Sequence, residues 1–178
     1  MTGGNSSMEL ELTFLARDLP AEISQVEPRR LVDVYIPEKL AVHPRLRLRQ
    51  KGTQYEVTKK LPSRLGDASS HIEHTIDLDA DEFECLQAAS RRRVQKDRFV
   101  LTLEGSRAEV DVFRGDLAGL VLIDFEFDSE AEMASFSAPA CCGADVTQED
   151  FIAGGLLAGR TYADIEQELA KFDYSRIG

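Results

Sequence analysis

Charged and apolar residues alternate along seven stretches of the chain, and acids and bases occupy different stretches. The alternating charges are Glu9 and Glu11; Arg45, Arg47 and Arg49; Lys60; Glu73; Lys96 and Arg98; Glu109 and Asp111; and Asp124 and Glu126. Side chains of a β-strand alternate between its two faces, so the charges share one face and the residues between them, such as Leu48 and Phe125, share the other. The pattern predicts a curved sheet whose charged face encloses a polar cavity.

The same alternation, together with turn residues, predicts the secondary structure. Strands are expected over residues 8–15, 31–35, 45–50, 54–61, 71–78, 92–104, 107–113 and 120–127, with Gly105-Ser106 as one turn. Helices are expected over residues 19–26, after the N-cap Asp79, over residues 130–136 from a capping box at Ser129, and over about 147–175 as two helices capped by Thr147 and Thr161. Antiparallel strands with helices between and after them indicate an α+β fold.

Length and charge narrow the possible partners. The chain has 178 residues, 43% of them hydrophobic, which suits one domain over residues 8–178, and residues 1–7 are expected to be a disordered leader. A net charge of −11 disfavours nucleic acid and anionic membrane. The sequence contains neither a long apolar run nor a signal peptide, so we expect a cytoplasmic monomer or homodimer. Residues 62–71 are predicted to form a mobile loop.

The basic residues at alternating strand positions predict a bound anion. Arg45, Arg47 and Arg49 on one strand face repel one another unless something negative lies among them. Arginine presents a planar fork of donors that suits phosphate oxygens, and Lys60, Lys96 and Arg98 could complete the same cradle. The alternative is a solvated outer face with weak surface salt bridges.

The acidic residues at alternating strand positions predict a bound cation. Glu9 with Glu11, and Asp124 with Glu126, place paired carboxylates on one face of a strand, where they repel unless a metal ion or a proton is shared. Magnesium and manganese bind carboxylate and phosphate oxygens together, so these four residues are the predicted metal ligands for Mg²⁺ or Mn²⁺. The histidines His71 and His74 point to opposite faces and are expected in exposed or capping roles.

With these residues assembled, the chain resembles the CYTH superfamily, also called triphosphate tunnel metalloenzymes, over about residues 8–160. The opening Glu-x-Glu-x-Lys motif of that family stands here as Glu9, Glu11 and Thr13. Further matching segments are LRLR at 46–49, VTKK at 57–60, Glu73 ahead of DADEFECL, RVQKDRF at 93–99, AEVDVFRGDLAGL at 108–120, IDFEF at 123–127 and DVT at 145–147.

The resemblance implies an eight-stranded antiparallel β tunnel that binds a linear triphosphate with one or two divalent cations. The residues that it implies for phosphate binding are Arg47, Arg49, Lys60, Lys96 and Arg98, assisted by Glu73 and Asp111. Lys60 is preferred to Lys59 because it is in phase with Thr58. Glu9, Glu11 and Glu126 are the implied catalytic residues, and with Asp124 they form the implied metal set.

The implied activity is metal-dependent hydrolysis of tripolyphosphate or an organic triphosphate. Two alternatives stay open: a non-catalytic module that binds triphosphate or polyphosphate, and a class IV-like adenylate cyclase. Thr13 in the place of the motif's lysine removes one cation, which could lower or redirect the activity. The continuation after DVT also departs from the family pattern, so the segment that closes the tunnel is not predicted.

Overall fold

The computed structural model describes residues 5–39, 43–64 and 66–178 of the chain. The strands within these residues are β1 (Asn5–Ala16), β2 (Arg29–Ile36), β3 (Leu46–Lys51), β4 (Gln54–Pro62), β5 (Ser70–Leu78), β6 (Arg93–Leu103), β7 (Ser106–Phe113), β8 (Val121–Phe127) and β9 (Cys142–Asp145). The α-helices are α1 (Ala80–Gln87), α2 (Glu130–Ser135), α3 (Gly154–Leu157) and α4 (Tyr162–Ala170). Three 3₁₀ turns cover Ala21–Gln25, Gly115–Leu117 and Asp150–Ile152.

Strands β1 to β8 form a closed antiparallel barrel. The order is β5-β4-β3-β2-β6-β7-β8-β1, and a further pairing of β5 with β1 closes it. The long strand β1 pairs with β8 along one edge, and along the other edge it pairs first with β5 and then with β9. The predicted eight-stranded antiparallel tunnel of an α+β protein is therefore confirmed. The short strand β9 was not predicted.

The outer face of the barrel is apolar and is covered by short elements. Phe14 and Phe125 lie in one buried cluster on this face, and their rings meet edge to face at a centroid distance of 5.9 Å. Phe136, which follows α2, packs on Phe125 with 4.6 Å between ring centroids. On another part of the barrel, Phe83 of α1 buries Leu48 of β3. The apolar positions of the alternating pattern thus form the outer core.

Apolar side chains fill one end of the barrel interior. Leu15, Phe113 and Leu122 continue the inward-facing rows of their strands, and they join one cluster with Leu157 and Ile165 from the C-terminal segment. All five side chains are at most 5% exposed. The C-terminal segment therefore closes this end of the tunnel by hydrophobic packing, which leaves the charged positions farther along the strands.

The C-terminal prediction is correct for one helix and wrong for the other. Thr161 caps α4 through a complete capping box with Asp164. Thr147 caps no helix: its hydroxyl oxygen accepts the Thr13 N–H at 3.0 Å and donates to Asp145 at 2.5 Å. After Thr147 the chain forms only the 3₁₀ turn and the four-residue α3. Thr147 instead accepts a backbone hydrogen bond from β1 at Thr13, in the gap between the part of β1 that pairs with β5 and the part that pairs with β9.

Other boundaries also differ from the predictions. Residues 1–4 of the predicted disordered leader lie outside the described residues, and β1 begins at Asn5, which pairs with Thr75. The β6–β7 turn has Glu104 and Gly105 at positive φ (48° and 90°), one residue earlier than predicted. Ser129 caps α2, but the Glu132 carboxylate accepts from Asp128 N, so the capping box is incomplete.

The predicted loop over residues 62–71 is shorter in the structure, because β4 extends to Pro62 and β5 begins at Ser70. Leu65 in this loop lies outside the described residues. The helix predicted over residues 19–26 is the 3₁₀ turn Ala21–Gln25. Of the helices that the structure describes, none is both long and apolar enough to span a membrane.

Candidate active site in the tunnel

The predicted site residues come from seven strands of the barrel, and ion pairs join them across the lumen. They are Glu9 and Glu11 on β1, Arg47 and Arg49 on β3, Lys60 on β4, Glu73 on β5, Lys96 and Arg98 on β6, Asp111 on β7, and Asp124 and Glu126 on β8. Residues distant in sequence, such as Lys60 and Glu11 or Arg98 and Asp124, lie within 4 Å of each other. Arg45 and Lys59, by contrast, are exposed.

Lys60 lies among three carboxylates. Its Nζ is 2.9 Å from Glu11 Oε1, 3.3 Å from Glu73 Oε1 and 3.6 Å from Glu9 Oε2. Strand pairing produces this cluster, because β5 lies between β4 and β1 and its Glu73 is directly opposite Lys60. Burial disfavours ionisation of Glu11 and Glu73, but the ammonium outweighs it and lowers the pKa of both. The same carboxylates raise the pKa of Lys60 well above its usual value.

Glu9 differs from its neighbours. Burial, together with the nearby Glu73 and Glu11, raises its pKa to about 7 against the attraction of Lys60. One ammonium is therefore not enough positive charge for three carboxylates in this part of the tunnel.

A second cluster surrounds Asp111, which is 1% exposed. Arg98 donates to both carboxylate oxygens, with 2.7 Å from Nε to Oδ1 and 2.6 Å from Nη2 to Oδ2. Lys96 also donates to Asp111, and Arg98 donates to Glu109. These two cations overcome the cost of burial and lower the pKa of Asp111 to about 2. Asp111 thereby fixes two of the predicted phosphate-binding side chains.

Asp124 accepts a hydrogen bond from Thr13, the residue at the position of the motif's lysine. The distance from Thr13 Oγ1 to Asp124 Oδ1 is 2.8 Å, and the nearest cation contact is Arg98 Nη2 at 3.8 Å. Burial raises the pKa of Asp124 to about 7, and the charges of Asp111 and Glu11 add to this effect. The Thr13 hydroxyl donates a hydrogen bond to Asp124 but supplies no positive charge, unlike the lysine of the family motif.

Arg107 is a site residue that the sequence prediction missed. Its guanidinium donates to Glu126 Oε2 at 3.0 Å and to Glu109 Oε1 at 2.8 Å, and its side chain is 54% exposed. Burial raises the pKa of Glu126, and Glu109 adds to this while Arg107 opposes it. The sequence signal that could have identified Arg107 is its alternation with Glu109 and Asp111 on β7, which places all three side chains on the same face of the strand.

Asp33 was also missed. It is fully buried, and Arg49 donates to both of its carboxylate oxygens at 2.6 Å each. Arg47 has weaker partners: Nη2 is 3.5 Å from Thr58 Oγ1 and 4.0 Å from Glu73 Oε2. Its buried Nε has no hydrogen-bond partner among the residues that the structure describes. Of these two arginines, Arg47 is the better placed to accept a new anion.

His71 lies among the charged residues rather than at the surface. Its Nδ1 is 3.9 Å from Glu11 Oε1, and in the described part of the chain this buried nitrogen has no hydrogen-bond partner. Burial and the charge of Lys60 lower its pKa. The expectation of an exposed or capping role for His71 is therefore wrong, and its place beside Glu73 in the alternation of β5 was the signal for it.

The carboxylates of β1 and β8 are of the chemical type that binds a divalent cation. Hard oxygen donors are the ligands of Mg²⁺ and Mn²⁺, and the raised pKa values of Glu9 and Asp124 indicate a shortage of positive charge. Among the residues that the structure describes, no three His, Cys, Asp or Glu side chains converge closely enough to hold a metal ion as they stand. Glu11 contacts Lys60 and Glu126 contacts Arg107 instead.

Fold and lining together define a β-tunnel protein whose interior carries both basic and acidic side chains. No protein-family model matches the chain. The inorganic triphosphatase of Nitrosomonas europaea is 36% identical over 143 residues, covering 79% of this chain and 90% of that protein. The chain therefore belongs to the triphosphate tunnel (CYTH) superfamily.

Solved structures agree with this assignment. A crystal structure of an inorganic triphosphatase matches with a TM-score of 0.62 and 31% identity, over 84% of this chain and 93% of that one. A crystal structure of a proposed adenylate cyclase from Bacillus halodurans matches with a TM-score of 0.51 over 97% of this chain and 94% of that one. At 15% identity, this second match supports the fold alone.

Proposed function

We propose that this chain hydrolyses a linear triphosphate inside the tunnel, with inorganic tripolyphosphate as substrate and Mg²⁺ or Mn²⁺ as cofactor. The observation that carries the proposal is the convergence of Arg47, Lys60, Lys96 and Arg98 with rows of carboxylates in one lumen. Tripolyphosphate is chosen because a relative that matches 79% of this chain is named an inorganic triphosphatase.

The basic side chains bind the phosphate oxygens. Arg47 offers an unpaired Nε and a loosely held Nη2, and Lys60 lies two strand positions from Thr58, the residue opposite Arg47. Lys96 and Arg98 act from β6, where Asp111 holds them in place. Each cation already has a carboxylate partner, so a phosphate oxygen replaces or shares that partner rather than filling an empty site.

The acidic side chains Glu9, Glu11, Asp124 and Glu126 hold the cofactor. A divalent cation bound to them supplies neutralisation of phosphate charge and a water of lowered pKa. Glu9 and Asp124, whose pKa values burial raises to about 7, would be favoured in their ionised form beside such a cation.

The arginines also act on the transition state. Negative charge spreads over the transferring and leaving phosphates during phosphoryl transfer, and fixed cations stabilise that charge without reorganising. Arg98 is fixed in this sense, because Asp111 accepts two hydrogen bonds from it. The C-terminal apolar plug keeps water from entering at the closed end, where Leu15 and Leu122 pack on Leu157.

Phosphate release from a panel of triphosphates tests the proposal. Tripolyphosphate, thiamine triphosphate, ATP and longer polyphosphate are each incubated with Mg²⁺, Mn²⁺ or Ca²⁺, and we expect metal-dependent release that is fastest with tripolyphosphate. Tight tripolyphosphate binding without turnover identifies the non-catalytic module instead. Cyclic AMP and pyrophosphate from ATP identify the cyclase. Either result overturns the proposed hydrolysis.

A further inference from the structure

Lys60 contacts both glutamates of the opening motif. Its ammonium is 2.9 Å from a Glu11 oxygen and 3.6 Å from a Glu9 oxygen, with Glu73 at 3.3 Å on a third side. A cation bound by Glu9 and Glu11 together has to approach the same two carboxylates. The ammonium of an assigned phosphate-binding residue therefore lies where a divalent cation would bind.

We propose that Lys60 competes with the divalent cofactor for Glu9 and Glu11, so that the cofactor and the triphosphate bind cooperatively. A triphosphate draws the Lys60 ammonium onto a phosphate oxygen, and this movement frees Glu9 and Glu11 for the divalent cation. The inference rests on the proposed function and adds a binding order to it. The triphosphate binds tightly without the cofactor, whereas the cofactor binds weakly without the triphosphate.

Charge and geometry both support this exclusion. Two cations within about 4 Å of each other repel strongly in a medium less polar than water, so the ammonium and a divalent ion cannot share one carboxylate oxygen. Lysine has a flexible four-carbon side chain, and its ammonium can turn to a new partner because it lacks the fixed donor directions of a planar guanidinium. Arg49 could not exchange partners in this way, because two hydrogen bonds hold it to the buried Asp33.

The test removes the ammonium and measures each ligand separately. Lys60→Met is compared with the wild type and with the control Lys59→Met, whose side chain is exposed on the neighbouring position of β4. Mn²⁺ alone is titrated by electron paramagnetic resonance at pH 8.5, above the pKa of Glu9. Tripolyphosphate alone is titrated by calorimetry in EDTA.

We expect opposite changes for the two ligands. Lys60→Met binds Mn²⁺ about tenfold more tightly than the wild type, the low end of what the loss of one adjacent positive charge produces. The same variant binds tripolyphosphate about tenfold more weakly. Lys59→Met matches the wild type in both titrations. Lys60→Arg, which keeps the charge, shows no gain in Mn²⁺ affinity.

Unchanged or weaker Mn²⁺ binding by Lys60→Met overturns the inference. Lys60→Gln provides a second measurement if the methionine variant does not fold, and the same gain is required of it. A failure of the proposed function is distinguishable, because it would appear as absent phosphate release from tripolyphosphate by the wild type, while the Mn²⁺ titrations would still report whether Lys60 competes with the metal.

Discussion

Asp33 and Arg49 form a buried ion pair with two hydrogen bonds inside the barrel. The Nε and Nη2 atoms of Arg49 are each 2.6 Å from a carboxylate oxygen of Asp33, and the two residues are 0% and 5% exposed. They are direct partners in the β2–β3 ladder. Arg49 overcomes the cost of burial and holds the pKa of Asp33 well below its usual value. A phosphate that uses Arg49 has to compete with this carboxylate.

Asp33→Asn is therefore expected to destabilise the fold. The substitution leaves the buried Arg49 guanidinium without its counter-charge, and breaking such a pair by removing one partner costs about 3 kcal/mol of unfolding free energy. Urea denaturation of the wild type and the variant, at neutral pH without metal, measures the difference.

The double variant Asp33→Asn with Arg49→Met is the control. Removing both members of a buried pair is far less costly than removing one, so the double variant recovers most of the lost stability. If the double variant is less stable than Asp33→Asn alone, the ion pair is not the source of the loss.

Glu126→Gln is expected to lower metal-dependent turnover by about 100-fold or more, because it removes one charged ligand of the cofactor. Its side chain is 46% exposed, so the unfolding free energy changes by less than about 1 kcal/mol. Phosphate release and urea denaturation measure the two effects. Glu130→Gln, which changes an exposed acid paired with Arg64, retains wild-type turnover. Phosphate release by Glu126→Gln at the wild-type rate contradicts its assignment.

Thr13→Lys restores the motif's lysine beside Asp124. A positive charge at this position favours the ionised carboxylate, so the pKa of Asp124 falls from about 7. If ionised Asp124 is needed for the cofactor, the acidic limb of the pH profile of kcat/KM moves down by about one pH unit.

Thr13→Val is the matched control for this profile. It removes the 2.8 Å hydrogen bond to Asp124 and adds no charge, so the acidic limb moves slightly upward, if at all. An acidic limb that stays in place in Thr13→Lys shows that Asp124 does not set the lower pH limit.

The sequence pattern was enough to predict a curved sheet with lumen-facing charges, because the strand period depends only on local alternation, whereas the closed eight-stranded barrel was implied by the family resemblance. Glu9 and Glu11, for example, both reach Lys60 from another strand. The partner of each charge could not be predicted in the same way. Asp33 stands between two valines, and only the register of β2 against β3 shows that it faces Arg49.

The C-terminal segment was predicted less well for a different reason. Thr147 has the residue type of an N-cap, but its hydroxyl bonds to the free edge of β1, a long-range contact that local sequence does not encode. The four-residue α3 then packs into the end of the barrel, where burial of Leu157 rather than helix propensity determines its place. Thr161, whose capping box with Asp164 is entirely local, was predicted correctly.

The stability of the metal-free protein is expected to fall as pH rises from about 5 to 8. The folded protein raises the pKa of Glu9 from 4.5 to about 7, so the contribution of Glu9 to stability is complete below pH 4.5 and is lost as pH rises through 7. Asp124 acts in the same direction. His71, whose pKa is lowered, opposes this trend, but only below its usual pKa of 6.5.

Glu9→Gln therefore flattens this pH dependence, because glutamine carries no charge to bury. At pH 8 the variant is expected to exceed the wild type by about 1 kcal/mol in unfolding free energy, a value reduced from the full pKa shift because the side chain is 29% exposed. Urea denaturation at pH 5.5, 6.5, 7.5 and 8.5 in EDTA measures the slope. Glu27→Gln, at an exposed position outside the tunnel, keeps the wild-type slope. A slope unaltered by Glu9→Gln means that burial of Glu9 among carboxylates does not destabilise the empty tunnel at neutral pH.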